Sequence, residues 1–392
     1  SMIATNLVTY HYSTKKSIFV KNSRMFSEKD FIFNTTTFEI NKGSFQWSAP
    51  SNIALVKYWG KKEHQIPANP SISFTLNQCK TITKLSFERK NTSTALSETK
   101  KNFSFDLLFE RKPKVDFKPK IQKFFERIEV YCPYLKHYHF IIDTENTFPH
   151  SSGIASSASG MAALAMNIMS LEKALNPEMT KEYFTQKASF LARLGSGSAC
   201  RSIKGNVVVW GKHTGINGSS DLFGVEFAEK IHQNFKNYQD TILLVDKGEK
   251  QVSSTVGHDL MHNHPFAKQR FEQAHTNLSS IKKVLENGNI EEFIKIVESE
   301  ALTLHAMMMT SMPYFILMKP NTLEIINRIW KFRAETKTPV CFTLDAGANV
   351  HVLYPENDRE HILQFIKDEL IGFCQNANYI CDTIGNGAIQ IL

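Results

Sequence analysis

Apolar residues recur near the helical period over residues 267–285, 290–304, 322–335 and 359–370, which predicts four amphipathic helices in the C-terminal half of the chain. Gly288 follows the first as a stop signal. Between the last two, VCFTLDAGANVHVLYP alternates as two strands around a turn at Gly347. The N-terminal half mixes periods. FIFNTTTFEI, residues 31–40, alternates and reads as a strand, so that residues 1–46 form an extension made mostly of strand. NIALV is a short β-rich run, NVVVW reads as a Val-rich strand, and residues 121–130 are helix-like. After FSFDLLF, the stretch from Asp106 to Glu110 and the basic residues beyond it read as a lengthened loop. The pattern as a whole is α+β in two domains, 47–218 and 219–392, with the ligand cleft expected between them.

Composition narrows the function class only a little. With 392 residues, 42% hydrophobic and 21% charged, the chain has the make-up of a globular protein large enough for two cores. Lys and Arg exceed Asp and Glu by 46 to 38, a surplus that attracts anions without naming them. The cluster Arg111, Lys112, Lys114, Lys118, Lys120 and Lys123 is interrupted by Pro113 and Pro119 and reads as a solvated surface segment, so no nucleic-acid partner is expected. Six cysteines without a CxxC pair fit reduced thiols in a cytoplasmic protein. No leader-like apolar region opens the sequence and no apolar run approaches 18 residues, so neither a signal peptide nor a membrane partner is expected. His258 and His262 have helical spacing and His264 lies close by, but Pro265 follows and no Cys or Glu stands at a familiar ligand spacing, which argues against zinc.

Three stretches carry candidate chemistry. SAPSNIALVKYWGK sets Asn52, Lys57, Tyr58 and Lys61 beside a buried run, an arrangement suited to anions that in isolation also describes a half-buried strand ending in solvated lysines. In NTFPHSSGIASSASGMAALAMNI a Pro-His-Ser-Ser-Gly turn feeds a serine-rich entry into a small-residue helix. Helix N-termini offer unpaired N–H groups and a positive dipole end, so the hydroxyls of Ser151, Ser152, Ser156 and Ser157 could cradle phosphate, with Gly153 allowing close backbone approach. The stretch is neither a P-loop nor a GxGxxG fingerprint. In RLGSGSACRSIKGNVVVW, Gly195, Ser196, Gly197 and Ser198 precede Arg201, whose planar fork matches carboxylate or phosphate. Asp345, before Ala-Gly, reads by itself as turn chemistry.

Taken together, SAPSNIALVKYWGK, IPANPSISFTL, the serine-rich loop, GSGSACRS, SSTVG, TLDAGAN and IGNGAIQIL resemble the mevalonate diphosphate decarboxylases of the GHMP kinase superfamily from Ser48 to the C-terminus. The resemblance implies the two-domain GHMP-kinase-like fold, an N-terminal ribosomal protein S5 domain 2-like unit and a C-terminal α/β sandwich with the active site between them. It implies ATP and Mg2+, mevalonate 5-diphosphate as substrate, and a cytoplasmic homodimer. It makes Asp345 the base at the C3 hydroxyl, Lys57 its electrostatic partner and Arg201 the residue that orients the substrate carboxylate. Asn52, Tyr58, Lys61, Ser196, Gly197, Ser198 and Ser254 fall at the substrate, and Ser151, Ser152, Gly153, Ser156 and Ser157 at the ATP phosphates; no residue is assigned as a metal ligand. Lys62-Glu63 keeps the family's basic-then-acidic order, whereas His258 stands where the family usually has Met, FPHSSG replaces a more usual Thr-Ala-Ala stretch, and NIA comes later in the chain than usual. A kinase of the same superfamily that phosphorylates mevalonate or a phosphomevalonate and stops there is the second reading; Asp345 and Arg201 together favour decarboxylation.

Overall fold

The computed structural model describes residues 26–35, 38–91, 102–148, 156–246 and 252–392. In chain order the elements are β1 (Lys42–Val56), β2 (Ser71–Arg89), β3 (Ser104–Phe109), β4 (Lys112–Pro113), α1 (Lys118–Ile128), β5 (Tyr138–Asn146), α2 (Ser156–Leu175), α3 (Lys181–Gly195), β6 (Val207–Trp210) and β7 (Gly224–Glu226). They continue with β8 (Gln239–Leu243), α4 (Ser254–Asp259), α5 (Ala267–Asn287), α6 (Ile290–Met309), α7 (Pro320–Thr336), β9 (Cys341–Leu344), β10 (Val350–Tyr354), α8 (Arg359–Phe365), β11 (Tyr379–Thr383) and β12 (Ile389–Gln390). The large sheet runs β12-β1-β2-β5-β3-β4, with β6 and β7 attached to β2; the small sheet runs β11-β8-β10-β9. Of these pairings only β3 with β5 is parallel.

Local chemistry explains the helix boundaries. Thr180 caps α3 by accepting from the Tyr183 amide at 3.1 Å, and Asn289 caps α6 from the Glu292 amide at the same distance, with Glu291 and Glu292 at its positive end. Gly288 ends α5 at φ 79°, a left-handed turn that glycine adopts without penalty. In β1, Pro50 brings no N–H to the ladder, and the register against β2 slips between Pro50 and Asn52. That slip re-aims Asn52.

One core, rich in Phe and Ala, fills the space between the large sheet and α1, α2 and α3; a second forms where β2, β6 and β8 meet α5 and α6. The two sheets are joined at the middle of β2. There the buried carboxylate of Asp382, on β11, accepts from the amides of Asn77, Gln78 and Cys79 at 2.8–3.0 Å. Because these amides sit where β2 passes from β6 to β5, the carboxylate satisfies donors that the ladder leaves open.

The four C-terminal helices and the two strands around Gly347 lie where the periodicity put them, α8 finishing in a single π-helical turn, Ile366–Leu370. Two expectations are corrected. Of residues 26–41, those described form a 3-10 turn, Glu28–Phe31, and irregular chain rather than strand. Phe31, Phe33 and Phe38 are buried all the same: Phe31 stacks on Phe190 of α3 with ring centroids 4.5 Å apart, and Phe33 meets Tyr134 edge-on. The alternation reflects rings plugged into the helical layer, away from any strand edge that would supply a ladder. Asp106–Phe109, expected as loop, completes β3 and turns back into β4, because Phe105 and Leu107 point inward and Asp106 outward with the period of a strand. Lys118, Lys120 and Lys123 lie on α1.

Candidate active site

Lys57 is the first residue past β1, and its backbone is clamped from both sides. Its amide donates to Glu300 Oε1 at 2.8 Å, and its carbonyl accepts from Asn69 Nδ2 at 2.8 Å and Arg270 Nη2 at 3.0 Å. Glu300 of α6 is fully buried and is gripped by Arg270 of α5 through two bonds of 2.6 and 2.7 Å, with Asn277 adding a third at 2.7 Å. A paired and fully hydrogen-bonded carboxylate is the form in which a buried charge is tolerated.

The ammonium group of Lys57 meets Asp345 Oδ1 at 3.3 Å. The Lys57 side chain is 3% exposed and that of Asp345 44%, so the pair is sealed on the lysine side and open on the carboxylate side. Burial pulls the pKa of Lys57 below its ordinary value, with Asp345 opposing that pull. Asp345 stands in the turn between β9 and β10. His305 of α6 contacts its backbone carbonyl at 2.9 Å, and burial holds His305 neutral, its pKa lowered to about 4.

Arg201 belongs to the 3-10 turn Gly197–Ser202 that follows α3. It is 3% exposed, lies over the Trp210 ring, and donates through Nε to Ser73 Oγ at 2.5 Å and through Nη1 to Ser71 Oγ at 2.7 Å. Ser71 and Ser73 share one face of β2 because strand side chains alternate. Asn52 braces the same turn: its amide nitrogen donates to Ser202 Oγ at 2.7 Å and to the Ser198 carbonyl at 3.1 Å, while its oxygen accepts from Arg201 Nε at 3.3 Å. The amide expected at the substrate is therefore committed to holding Arg201.

Tyr58 packs between Trp210 and His258, with ring centroids 4.6 and 4.2 Å away. A Cβ on Gly197 would lie 2.9 Å from the Tyr58 hydroxyl and 2.8 Å from Trp210, so only glycine lets the turn approach that hydroxyl. His258 accepts from the Gly60 amide at 2.8 Å, and burial keeps it neutral, its pKa lowered to about 3. Helix α4 ends at Asp259, which leaves His262 exposed beyond it, while His264 contacts the Met307 carbonyl and the Phe266 amide. The three imidazoles thus serve different neighbours. Lys61 is half-buried at a cleft of about 550 Å³ that it shares with Arg127, Glu126, Asp259 and His262. Burial lowers its pKa, and Arg127 and Lys123 act in the same direction against Asp259.

Ser196 and half-buried Ser198 lie in the turn that carries Arg201, and Ser254 opens α4 in an exposed position behind its cap, Ser253. Ser151, Ser152 and Gly153 fall outside the described residues. Ser156 and half-buried Ser157 open α2, whose Ser159 is engaged with Thr81 at 2.6 Å and whose Asn167 donates to the Thr83 carbonyl. These bonds fix the first turn and the middle of α2 against β2. Among the described residues no group of three His, Cys, Asp or Glu side chains forms a metal cage. The residues that the sequence reading missed are Ser71, Ser73, Arg270, Glu300 and His305. The first two carried a signal, serines at period two within an apolar strand.

A two-sheet α+β chain in which a Lys–Asp contact sealed on the lysine side and a buried arginine converge, with α2 packed on the strands that position them, has the architecture of a GHMP-type enzyme. Residues 49–222 match the diphosphomevalonate decarboxylase-like N-terminal domain and residues 241–387 the mevalonate 5-diphosphate decarboxylase C-terminal domain. The diphosphomevalonate decarboxylase of Candida albicans is 30% identical over 325 residues, covering 81% of this chain and 86% of that protein. The Saccharomyces cerevisiae enzyme is 30% identical over 328 residues, 81% of this chain and 80% of its own. Among solved structures, mevalonate diphosphate decarboxylase from Staphylococcus aureus superposes with a TM-score of 0.75 at 27% identity, covering 90% of this chain and 99% of that one. MDDEF in complex with MVAPP, AMPPCP and magnesium superposes with a TM-score of 0.73 at 27% identity, covering 89% and 99%. The chain belongs to the diphosphomevalonate decarboxylase family.

Proposed function

We propose that this protein catalyses the ATP-dependent decarboxylation of mevalonate 5-diphosphate to isopentenyl diphosphate, phosphorylating the C3 hydroxyl and then releasing phosphate and carbon dioxide. The observation that carries the reading is the 3.3 Å contact of buried Lys57 with the open carboxylate of Asp345, in a chain of this family. A tertiary alcohol is a poor nucleophile. Asp345 takes or orients its proton, assistance typically worth about 10²–10⁴ in rate, and Lys57 favours the ionised carboxylate and offsets charge on the transferred group. Arg201 fixes the alignment of the substrate carboxylate. With Nε and Nη1 spent on Ser73 and Ser71, it presents only part of its fork, which suits orienting better than tight ground-state binding.

Tyr58, Lys61, Ser196, Gly197, Ser198 and Ser254 hold the 5-diphosphate, and Asn52 acts through Arg201. Bound MgATP supplies the phosphoryl group. The α2 N-terminus with Ser151, Ser152, Gly153, Ser156 and Ser157 holds its phosphates, a role that a long helix opening on serines fits. Magnesium, brought with ATP, would offset the charge of those phosphates. The reading extends to two units, 47–218 and 219–392, behind the 1–46 extension, and to a cytoplasmic homodimer. The six free thiols fit a reducing compartment, and no helix among the described residues is long and apolar enough to cross a membrane.

An assay offering mevalonate, its 5-phosphate and its 5-diphosphate with MgATP tests substrate and outcome together. Only the diphosphate should yield ADP and carbon dioxide in equal amounts, and excess EDTA should stop both. ADP without carbon dioxide would make the protein a kinase instead.

A further inference from the structure

Behind Asp345 lies a buried charged pair that the reaction above does not use. His351, on β10, places Nδ1 2.7 Å from Asp240 Oδ2 on β8, and the two residues are 5% and 3% exposed. Their strands are neighbours: Asp240 stands opposite Leu353 and thus diagonal to His351, within reach across the sheet. The other side of the ring turns to the active site, with Nε2 3.8 Å from Asp345 Oδ2. Lys57 holds the opposite oxygen, Oδ1, at 3.3 Å. The carboxylate is thus flanked on both oxygens by nitrogen, one buried group on each side.

We propose that His351, held as an imidazolium by Asp240, is a positioning residue that brackets Asp345 opposite Lys57, so that two cations keep the base ionised and aimed. The proposal rests on the reading of Asp345 as that base. Burial pulls the imidazole down, yet Asp240, through charge and hydrogen bond, and then Asp345 push its pKa above the ordinary value, with Lys57 opposing. Burial raises the pKa of Asp240 too, against the charge and hydrogen bond of His351, and the 2.7 Å contact is what lets the two groups stand as an ion pair in a buried site. Among the described residues, the charged groups that act on it are Asp240 from β8, Asp345 from the β9–β10 turn and Lys57 from the end of β1. Asp382 of β11 lies behind Asp240, its oxygens occupied by backbone amides, and His305 reaches only the Asp345 carbonyl. A second cation matters here because Asp345 is open to solvent and its first partner, Lys57, is weakened as a cation by burial. With Lys57 at one oxygen and His351 facing the other, the two groups favour one direction of the carboxylate.

Two measurements test the bracket. In protein labelled with ¹⁵N-histidine, the resonance that disappears in His351→Gln should show both nitrogens protonated at pH 7.5, and Asp240→Asn should convert it to a neutral ring. In steady-state assays, His351→Gln and Asp240→Asn should each lower kcat about tenfold or more, the scale of one close charge contact, with KM for both substrates within about twofold. Each should also move the acid limb of the kcat profile to higher pH, and His351→Lys should move it back. A role confined to packing would lower kcat without shifting that limb. A neutral His351 in the unsubstituted protein at pH 7.5, or an acid limb unmoved in both variants, overturns the bracket. An active Asp345→Asn variant would overturn the underlying reading instead, and should His351→Gln fail to fold, His351→Lys removes the same resonance and supplies the assignment.

Discussion

Lys57 can serve Asp345 because its backbone has no freedom. Its amide and carbonyl are taken by Glu300, Asn69 and Arg270, so the side chain leaves a fixed point and its low exposure keeps water from screening the 3.3 Å contact. Arg201 is held in the same manner by Ser71, Ser73 and Asn52, with Trp210 beneath its plane. Arg201→Gln removes the charge and the fork. We expect kcat to fall at least about tenfold, as for a lost transition-state contact, while KM for ATP changes by less than about twofold. An unchanged steady-state rate would remove the carboxylate role.

Among the elements, β1, α5 and α6 act as one device: Arg270 and Glu300 form a buried ion pair whose spare hydrogen bonds end on the Lys57 backbone. Glu300→Ala leaves the guanidinium buried without its partner and the Lys57 amide without an acceptor, which should cost about 3–5 kcal/mol by denaturant titration. A loss below about 1 kcal/mol would show that the clamp does not stabilise the fold. This device was not legible in the sequence. Glu300 and Arg270 sit at inward positions of their helices, as does Glu298 of α6, and a charged residue in an amphipathic pattern reads as surface until the opposing element is known. His351 carried a faint signal as the polar member of the apolar run VHVLY. The helices themselves were legible, because amphipathic period and the Gly288 stop are local features. Residues 31–40 were misread for the opposite reason: aromatic alternation is local, but a strand requires a partner, and the partner here is a layer of helices.

At the scale of the molecule, the site exists because three distant segments converge. Lys57 leaves the large sheet, Asp345 the small one, and Arg201 a turn between α3 and β6; Asp382 and the α5–α6 clamp hold the sheets together. The motifs NIALVKYWGK, GSGSACRS and TLDAGAN marked these three segments in the sequence, and their meeting at hydrogen-bond range is what the fold adds. The central claim, that Asp345 is the base of an ATP-dependent decarboxylation, is tested most directly by Asp345→Asn. Asparagine keeps the size of the side chain and removes its charge. We predict that binding of mevalonate 5-diphosphate and of ATP stays within a few-fold of the unsubstituted protein while turnover to ADP and carbon dioxide falls by about 10²–10⁴. Turnover close to that of the unsubstituted protein would contradict the account.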